Sequence, residues 1–504
     1  MPRSTPELAA AIDLGSNSFH MIVARIQNGQ LAVMDKIRES VRLGSGIDAN
    51  NIITEETQTR ALECLKKFGQ RLADFPPGSV RAVGTNTLRN ARNSQEFLSL
   101  AEEALGHPID VIAGVEEARL IYLGVAHSKT VADQQRLVMD IGGGSTELII
   151  GNDAGPIFME SLEMGCVSIT KRFFGNGKIS PLKLAKARTF ALTELEPHVR
   201  KFKKRGWDQA IGASGTIRAV IKVISAAGWN SDYITLEGLQ KLITALGEFE
   251  QIDQIKLDGL SDERAPVFIG GVIVLLSTFE ALGIKQMEVS DRALREGLLH
   301  DLLGRLKDED IRDASIQHLA ERYHAEQAQA QRVKQTSLYI LQQLADSWEL
   351  NYDEAEEWLG WAADLHEIGL DIAHSRHHQH AAYIIEHSDL AGFSQQEQRF
   401  LAALVISHRR KLPVKLYKEL PKRICKPVKQ LSVILRLAVI LHRSRSRSDT
   451  PMSDFTIELI DKNRIELCLD PEWLDRHPLT RADLEEEITH LKNISLELSL
   501  CQEN

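Results

Sequence analysis

The sequence predicts an α/β plus all-α protein: two related α/β domains over residues 1–122 and 123–305, a helical domain over 306–450, and a small mixed α+β module over 451–504. Three observations support this prediction. The 504 residues correspond to roughly three domains of ~150 residues each. One pattern of strand, turn and strand occurs twice in the first half. Beyond about residue 311, strand-like alternation gives way to long stretches with helical spacing.

The repeat comprises residues 9–37 and 136–162. In each copy a short apolar strand ends in an aspartate, Asp13 or Asp140, and continues into a turn rich in glycine and serine. A second strand, a tight turn and a third strand follow. Because a repeat of this length is typical of duplicated domains, we expect two similar α/β domains that face each other across a cleft.

The remaining elements follow from hydrophobic periodicity. We predict helices over 55–74, 94–105, 183–205 and 480–492, and short strands over 455–460 and 464–469. The longest uncharged apolar run, 265–279, falls short of the ~20 residues that span a bilayer. It therefore predicts a helix that is buried on most sides.

Composition excludes several classes of protein. An apolar fraction of 43% and a charged fraction of 26% are ordinary for a globular chain and exclude whole-chain disorder. Five cysteines with irregular spacing and no CxxC favour free thiols in a reducing compartment, with neither a disulfide framework nor a zinc site. We expect a cytoplasmic protein with at most peripheral membrane association. The net charge of −10, taken alone, argues against a polyanionic partner.

The two repeated turns have the composition of phosphate-binding loops. Their backbone N–H groups can surround phosphate oxygens, and the serine hydroxyls add donors. The aspartate at each strand end can hold Mg²⁺, which prefers a few carboxylates plus ligand oxygens. The alternative is a pair of tight hairpins whose polar side chains satisfy their own backbone. Two matched copies favour the phosphate site.

Further segments fit the same chemistry. Residues 80–93, 211–220 and 290–299 each place glycine, hydroxyl or arginine side chains after a strand or at a helix start. Glu116 and Glu117 lie where a strand gives way to a helix, and acidic residues there often complement the helix dipole. In the functional alternative, one of them activates water. Spacing alone does not choose between them, because adjacent helical residues point about 100° apart.

Seven segments in order carry a family resemblance: DLGSNSFHM, VGTNTLR, GVEEARLIY, DIGGGSTEL, MGCVS, GASGT and ALREG. Together they resemble the bacterial exopolyphosphatase and guanosine pentaphosphate phosphohydrolase (Ppx/GppA) family. The resemblance implies two actin-like (ribonuclease H-like) domains, a helical domain similar to HD phosphohydrolases, a small carboxyl-terminal domain and a homodimer. It also implies Mg²⁺-dependent release of the terminal phosphate of linear polyphosphate, and it admits a monovalent cation such as K⁺.

The resemblance assigns roles to individual residues. Glu117 corresponds to the general base, and Asp140 and Glu147 to carboxylates that hold the metal and the water, with Asp13 opposite as a further metal ligand. The phosphate contacts that it implies are Gly15, Ser16, Asn17, Ser18, Thr85, Arg89, Gly143, Gly144, Ser145 and Ser214. The chain departs from the family pattern at Arg292, directly before ALREG, where family members often carry glycine. A bulky cation there is expected to disfavour a nucleotide, although it could equally contact a phosphate or another part of the protein.

The helical domain departs from the HD pattern. Glu367 follows His366 where an aspartate is expected, and Val439 stands where a further metal ligand is expected. We therefore expect a retained scaffold without its own metal centre, in which His366, His378, His380 and His408 cap helices and line a solvated groove.

A basic segment, residues 409–429, carries nine cations and one anion, Glu419. A solvated face is the simplest interpretation, and nucleic-acid binding is the usual alternative. The segment has one aromatic residue, which gives base stacking little support, so we expect no nucleic-acid partner. We interpret it as a polyphosphate track. The residues assigned to it are Arg409, Arg410, Lys411, Lys415, Lys418 and Lys422.

The leading hypothesis from the sequence is a processive exopolyphosphatase. Conversion of guanosine pentaphosphate to the tetraphosphate is the alternative within the family. Outside that activity, the chain could be a polyphosphate or nucleotide sensor without catalysis, or a sugar or acetate kinase. The three carboxylates Glu117, Asp140 and Glu147 favour hydrolysis over a sensor.

Overall fold

The computed structural model describes residues 6–27, 30–76, 78–126, 134–230, 232–306, 310–445 and 455–501. The chain forms two compact units, Met1–Asp310 and Ile311–Asn504. The first unit contains two sheets with helices packed on them. The second contains helices and a three-stranded sheet.

The first sheet has the order β3-β2-β1-β4-β5. Its strands are β1 (Leu8–Leu14), β2 (Phe19–Gln27), β3 (Gln30–Glu39), β4 (Val80–Gly84) and β5 (Ile109–Val111). β1 to β3 form an antiparallel meander, and β1, β4 and β5 run parallel. The associated helices are α1 (Glu55–Leu72), α2 (Asn86–Asn90) and α3 (Ser94–Leu105). The apolar side chains of α1 and α3 form a core with this sheet.

The crossover helix α4 (Gly114–Ala126) then leads to the second sheet, which has the order β10-β11-β9-β6-β7-β8. Its strands are β6 (Arg136–Ile141), β7 (Thr146–Asn152), β8 (Gly155–Leu162), β9 (Gln209–Gly212), β10 (Ile234–Thr235) and β11 (Gln286–Val289). β6 to β8 form a second meander, and β6, β9 and β11 run parallel. The arrangement of the first sheet is thus repeated, with β10 added at the edge.

The helices of this second half surround an apolar core. They are α5 (Cys166–Phe174), α6 (Pro181–Arg205), α7 (Gly215–Ala226), α8 (Leu236–Leu246), α9 (Ala265–Leu282) and α10 (Leu294–Leu306), with a 3-10 turn at Ile252–Gln254. α9 is long and apolar enough to cross a membrane by length and composition, but 72% of it is buried inside the protein. This confirms the prediction of a buried helix.

Two helices cross between the sheets. α4 follows the first sheet yet packs on β7 and β8 of the second, whereas α10 follows the second sheet and packs on β1, β2 and β4 of the first. Glycine allows the close crossing: a Cβ at Gly124 would overlap the backbone of Ala293, and one at Gly297 would overlap the carbonyl of Leu120. Side chains from both sheets and both helices share one core.

The second unit is mainly helical. Its helices are α11 (Ile311–Arg322), α12 (Gln327–Trp348), α13 (Tyr352–Leu365), α14 (His377–His387), α15 (Gln395–Ser407), α16 (Val414–Glu419), α17 (Lys422–Leu441), α18 (Pro471–Arg476) and α19 (Pro478–Leu491), with 3-10 turns at Ile368–Asp371 and Lys492–Ile494. The small sheet has the order β12-β13-β14, formed by β12 (Phe455–Asp461), β13 (Arg464–Leu469) and β14 (Glu497–Leu500).

One expectation about the cysteines is wrong. Cys468 at the end of β13 and Cys501 just after β14 form a disulfide, with their Cα atoms 4.9 Å apart. The parallel pairing of β13 with β14 brings together two cysteines that are 33 residues apart in sequence, which their spacing alone did not indicate. Cys64, Cys166 and Cys425 are free thiols, as expected.

The elements predicted from periodicity are present with small shifts at their ends. The predicted helix 55–74 ends at Leu72, and the helix predicted at 480–492 begins earlier, at Pro478. The predicted domain boundary at 122/123 falls inside α4, and the boundary between the two compact units falls at 310/311. One continuous core joins the helices of the second unit to β12 and β13.

Candidate active site

The two repeated aspartates occupy matching places in the two sheets. Asp13 pairs with His20 across the β1–β2 hairpin, and Asp140 pairs with Glu147 across the β6–β7 hairpin. Asp13 and Asp140 both line one cavity of about 120 Å³ within the first unit. This volume is small beside the ~300–1,000 Å³ that pockets for drug-sized ligands usually measure.

Most of the predicted site residues lie on the wall of this cavity. They are Asp13, Gly15, Ser16, Asn17, Ser18, Thr85, Glu117, Asp140, Gly143, Gly144, Ser145 and Ser214. They come from both halves of the first unit, so the cavity is the cleft that the sequence repeat predicted. Arg89 and Glu147 lie next to it, in contact with other site residues.

The two glycine-rich turns approach each other so closely that side chains would not fit between them. A Cβ at Gly143 would lie 2.7 Å from the Cβ of Ser16, and one at Gly144 would overlap the amide of Asn86. The Ser16 hydroxyl accepts a hydrogen bond of 2.7 Å from Thr87. Glycine is required here because two backbones must face one small anion site.

The second glycine-rich turn, which contains Gly143, is also hydrogen-bonded to the start of α5. The backbone N–H groups of Val167 and Ser168 donate to the Gly143 carbonyl at 2.8 and 3.1 Å. A Cβ at Gly165 would overlap that same carbonyl. The segment MGCVS is thereby explained: its glycine permits the contact, and the start of α5 satisfies the carbonyl of the phosphate turn.

The structure chooses between the two adjacent glutamates. Glu117 lines the cavity, and its Oε2 accepts a hydrogen bond of 2.8 Å from Arg89 Nη1. Glu116 points away and accepts two hydrogen bonds of 2.8 Å from Arg119. Arg119 also contacts Asp301 on α10. Glu117 is therefore the candidate base, and Glu116 belongs to a buried ionic network.

The carboxylates around the cavity repel one another. Burial, reinforced by the charge of Glu117, raises the pKa of Asp13 to about 8 and that of Asp140 to about 7. Burial likewise raises the pKa of Glu147 well above its usual range, with Glu117 and Asp140 adding to the effect. Four carboxylates thus share one desolvated region.

These residues fit a divalent cation. Within the described residues, Asp13 Oδ1 and Glu147 Oε2 are buried and have no hydrogen-bond partner, and a cation would relieve both the desolvation and the mutual repulsion. No group of three or more His, Cys, Asp or Glu side chains in the described ranges has the spacing of a closed metal site. This pattern suits Mg²⁺, which is usually held by one or two carboxylates, phosphate oxygens and water.

Three predicted residues have an additional or different partner. Ser214 caps α7 by accepting a hydrogen bond of 3.1 Å from the Ile217 N–H. Glu147 accepts one of 2.9 Å from the Ser161 hydroxyl. Arg89 donates to Glu117 and to the Ile112 carbonyl, at 2.8 Å each, and its contact with phosphate stays a prediction. Arg89 is therefore placed to orient the candidate base.

Asn86, from the segment 80–93, also lines the cavity. Sequence reasoning did not assign His20, Arg218 and Arg264 to the site, and these three side chains line the cavity beside the predicted groups. The repeat could have identified His20, because it occupies in the first hairpin the place that Glu147 occupies in the second. No signal in the sequence marked Arg264, which is brought to the site by the fold.

Arg292 does not belong to the cavity wall. Its side chain is exposed on the turn before α10, and its backbone N–H donates to Ser290 Oγ at 3.1 Å. The neighbouring Ala293, Leu294 and Arg295 line the cavity instead. The structure thus gives no support to the expectation that Arg292 excludes a nucleotide.

In the second unit, Arg410, Lys411, Lys415 and Lys418 are exposed and Arg409 is half-buried. The side chain of Lys422 lies outside the described part of the chain. A solvated face therefore exists in this segment.

The histidines expected to line a groove are more buried than the sequence suggested. His366 and His408 are 2% and 3% exposed, and their rings lie 5.4 Å apart. Burial lowers the pKa of both. Each ring contacts the backbone carbonyl three residues earlier, so these two histidines lie at helix ends as expected, whereas His378 and His380 lie within α14.

Comparison with known proteins identifies the family of this chain. Residues 22–306 match the Ppx/GppA phosphatase family, and residues 311–488 match domain III of that family. The chain belongs to the Ppx/GppA phosphatase family. It is accordingly an enzyme that hydrolyses phosphoanhydride bonds, as the carboxylates and phosphate turns of the cavity indicate.

Two relatives of known name cover nearly the whole chain. A guanosine-5'-triphosphate,3'-diphosphate pyrophosphatase from Aeromonas hydrophila is 39% identical over 481 residues, which cover 95% of this chain and 96% of that protein. A protein of the same name from Vibrio cholerae is 38% identical over 496 residues, which cover 98% of each chain.

Solved structures confirm the actin-like fold predicted from the resemblance. An exopolyphosphatase from Cytophaga hutchinsonii is 26% identical with a TM-score of 0.54, covering 59% of this chain and 98% of its own. A Ppx/GppA family member from Aquifex aeolicus is 27% identical with a TM-score of 0.50, covering 60% of this chain and 99% of its own.

Proposed function

We propose that this protein hydrolyses the terminal phosphoanhydride bond of guanosine-5'-triphosphate,3'-diphosphate and releases orthophosphate, with Mg²⁺ as cofactor. The observation that carries the reaction is the cavity in which the two glycine-rich turns meet three carboxylates, with that of Glu147 beside them. The choice of substrate is supported by two relatives that match over at least 95% of this chain. The sequence alone favoured linear polyphosphate as the substrate, whereas the names of these relatives favour the alternative, guanosine pentaphosphate.

In this mechanism, the turns around Ser16 and Ser145 hold the terminal phosphoryl group by backbone N–H and hydroxyl donors. Glu117 accepts a proton from a water molecule, whose oxygen attacks the terminal phosphorus. The bond between that phosphorus and the bridging oxygen breaks, and the bridging oxygen leaves with the shortened substrate as a phosphate anion. Arg89 keeps the Glu117 carboxylate oriented throughout.

Asp13, Asp140 and Glu147 would hold the Mg²⁺ ion. The ion would supply charge neutralisation at the phosphoryl oxygens when bound. Without it, the raised pKa values of these carboxylates keep part of the group protonated near neutral pH. Mg²⁺ binding therefore releases protons, and its affinity is expected to rise with pH.

Linear polyphosphate remains a second candidate substrate because of one observation. The exposed cations of the basic segment, Arg410, Lys411, Lys415 and Lys418, suit a polymer that carries about one charge per phosphate unit and offers no base to read. The segment would act as a track for the chain. We further propose that the protein is cytoplasmic, as expected from its composition, and homodimeric, as the family resemblance implies.

The test is to incubate the purified protein with guanosine pentaphosphate and Mg²⁺ and to separate the products by anion exchange. We expect equal amounts of orthophosphate and guanosine tetraphosphate, and no products when EDTA is added. Absence of orthophosphate from guanosine pentaphosphate under saturating Mg²⁺ would reject the proposed substrate.

A further inference from the structure

The second unit carries a pair of cysteines that backbone pairing brings together. β13 and β14 run parallel, and the pairing of Leu467 with Leu500 places Cys468 beside Cys501, one residue further along each segment. The Cys501 N–H donates to the Leu467 carbonyl at 3.0 Å. The Cα atoms of the two cysteines lie 4.9 Å apart, within the range of about 4.4–6.8 Å that a disulfide bridges. The strands therefore keep the two side chains adjacent also when the bond is open.

Solvent can reach this pair of cysteines. Cys468 and Cys501 are both half-buried, whereas Cys64 and Cys166 are 4% and 2% exposed. Reaction of a cysteine with a soluble thiol or disulfide follows its exposure. Cys425 on α17 is half-buried as well, and it is a free thiol in the structure. Exposure and pairing together therefore distinguish Cys468 and Cys501 from the other three cysteines.

The disulfide closes a loop of the chain that contains α18 and α19, with 33 residues between its two ends. β14 contributes Leu498 to the core of the second unit, and α19 contributes Leu484 and Leu491 to the same core. α19 also packs on β14. Closing a loop of this length lowers the conformational entropy of the unfolded chain. The folded arrangement of α19 and β14 is therefore more stable when the bond is closed.

A buried ion pair connects α19 to α17. Glu487 on α19 accepts two hydrogen bonds of 2.5 Å from Arg436 on α17, and both residues are 2% exposed. Arg436 also donates to the carbonyl of Ser407 at the end of α15. Because breaking a buried ion pair is strongly destabilising, a change that loosens α19 also loosens the contact of α17 with α15.

We propose that Cys468 and Cys501 form a reversible redox site, which exchanges with glutathione and whose state controls how stably α19 packs on α17. In the cytoplasm, which is the location proposed above, excess glutathione keeps exposed thiols reduced. The bond then forms when glutathione disulfide accumulates. The proposal does not depend on which phosphate substrate the protein hydrolyses.

The exchange consists of two thiol–disulfide steps. The thiolate of one cysteine attacks a sulfur of glutathione disulfide, which forms a mixed disulfide and releases one glutathione thiolate. The thiolate of the other cysteine then attacks the protein sulfur of the mixed disulfide, which forms the Cys468–Cys501 bond and releases the second glutathione thiolate. Two protein thiols are thus oxidised to one disulfide, one glutathione disulfide is reduced to two molecules of glutathione, and the two thiol protons pass to the released thiolates.

The first test equilibrates the native protein with glutathione and glutathione disulfide at a series of ratios. Free thiols are then blocked with iodoacetamide, and peptide mass spectrometry shows which cysteines are alkylated and which are bonded. We expect Cys468 and Cys501 to be alkylated in excess glutathione and bonded to each other in excess glutathione disulfide. A bond that persists in excess glutathione, or two free thiols in excess glutathione disulfide, would overturn the proposal.

The second test measures the effect of the bond on α19. Hydrogen exchange of the backbone amides of α19, followed by mass spectrometry, should be slower in the oxidised than in the reduced wild type by about a factor of 30 or more, which is the lower end of the stabilisation that a disulfide provides. C501S cannot form the bond and should exchange at the rate of the reduced wild type under both conditions. Equal exchange in the oxidised and reduced wild type would overturn the proposed control of α19.

C425S is the matched control, because Cys425 is a half-buried free thiol on α17. It should respond to glutathione disulfide as the wild type does in both tests. Loss of the response in C425S would assign the redox chemistry to Cys425 and overturn the proposed pair. Neither test uses a phosphate substrate, so a failure here is distinguishable from a failure of the proposed phosphohydrolase activity, which orthophosphate release measures separately.

Discussion

Replacing the two adjacent glutamates one at a time should separate catalysis from stability. E117Q removes the candidate base, and general-base catalysis contributes about 10²–10⁴ in rate, which corresponds to roughly 3–5 kcal/mol in the barrier. The folded protein should tolerate the change, because the amide keeps a hydrogen bond to Arg89 and the substitution removes a charge that repels Asp13, Asp140 and Glu147.

E116Q should have the opposite effect. Glu116 is 3% exposed and shares Arg119 with Asp301, near which Arg81 and Arg305 also lie. Removing its charge leaves three guanidinium groups around one carboxylate. Breaking a buried ion pair costs about 3–5 kcal/mol, and the amide retains one hydrogen bond, so we expect the lower end of that range. The kcat of the folded fraction should stay close to that of the wild type.

Both variants can be assayed on the same preparations. Orthophosphate release under saturating Mg²⁺ gives kcat, and urea denaturation gives the free energy of unfolding. Loss of kcat in E116Q with normal turnover in E117Q would refute the assignment of the base. Equal loss of kcat and stability in both variants would show that the two carboxylates act as one structural group.

Three further predictions concern pH, packing and the basic segment. Burial raises the pKa of Asp13 from 3.8 to about 8, so the metal-free protein should lose stability as pH rises from about 4 to about 8. Thermal unfolding in EDTA should show this loss. D13N should remove the share that Asp13 contributes, and added Mg²⁺ should remove most of the loss. G297A should lower the free energy of unfolding by about 1–3 kcal/mol, as measured by urea denaturation, because a Cβ there does not fit at the crossing of α4 and α10. G238A should lower it by less, because a Cβ at that position would make ordinary contacts at 3.4 Å. Equal effects of the two variants would argue against close packing as the cause. Exchanging Lys415 and Lys418 for glutamine should lower kcat/KM for long polyphosphate but not for guanosine pentaphosphate. Added salt should also lower kcat/KM for long polyphosphate. An equal loss for both substrates would contradict the proposed polyphosphate track.

The repeat was the most informative part of the sequence. It located both meanders and the equivalent places of Asp13 and Asp140, because a strand that ends in a carboxylate and a glycine-rich turn is a local pattern. The sequence could not decide between Glu116 and Glu117, since the choice depends on how α4 is rotated against α10, β7 and β8. Only the folded structure shows that Arg119 donates a hydrogen bond to Glu116 and that Arg89 donates one to Glu117.

Contacts between residues that are far apart in sequence account for the other differences between the sequence predictions and the structure. Arg218 and Arg264 line the cavity because of where α7 and α9 begin, and no motif marks that juxtaposition. The pairing of Cys468 with Cys501 depends on a parallel strand pair, β13 with β14, whose two strands are separated in sequence by α18 and α19. The polyphosphate preference rested on the local charge of the basic segment and on the family resemblance of short motifs, whereas the relatives that match at least 95% of the chain carry the name of a different substrate.

The central claim is tested most directly by measuring kcat/KM for guanosine pentaphosphate and for long-chain polyphosphate on one preparation with Mg²⁺. We predict the higher value for guanosine pentaphosphate, with the tetraphosphate and orthophosphate as products and with E117Q inactive toward both substrates. Hydrolysis of polyphosphate alone, with no turnover of guanosine pentaphosphate, would contradict the account.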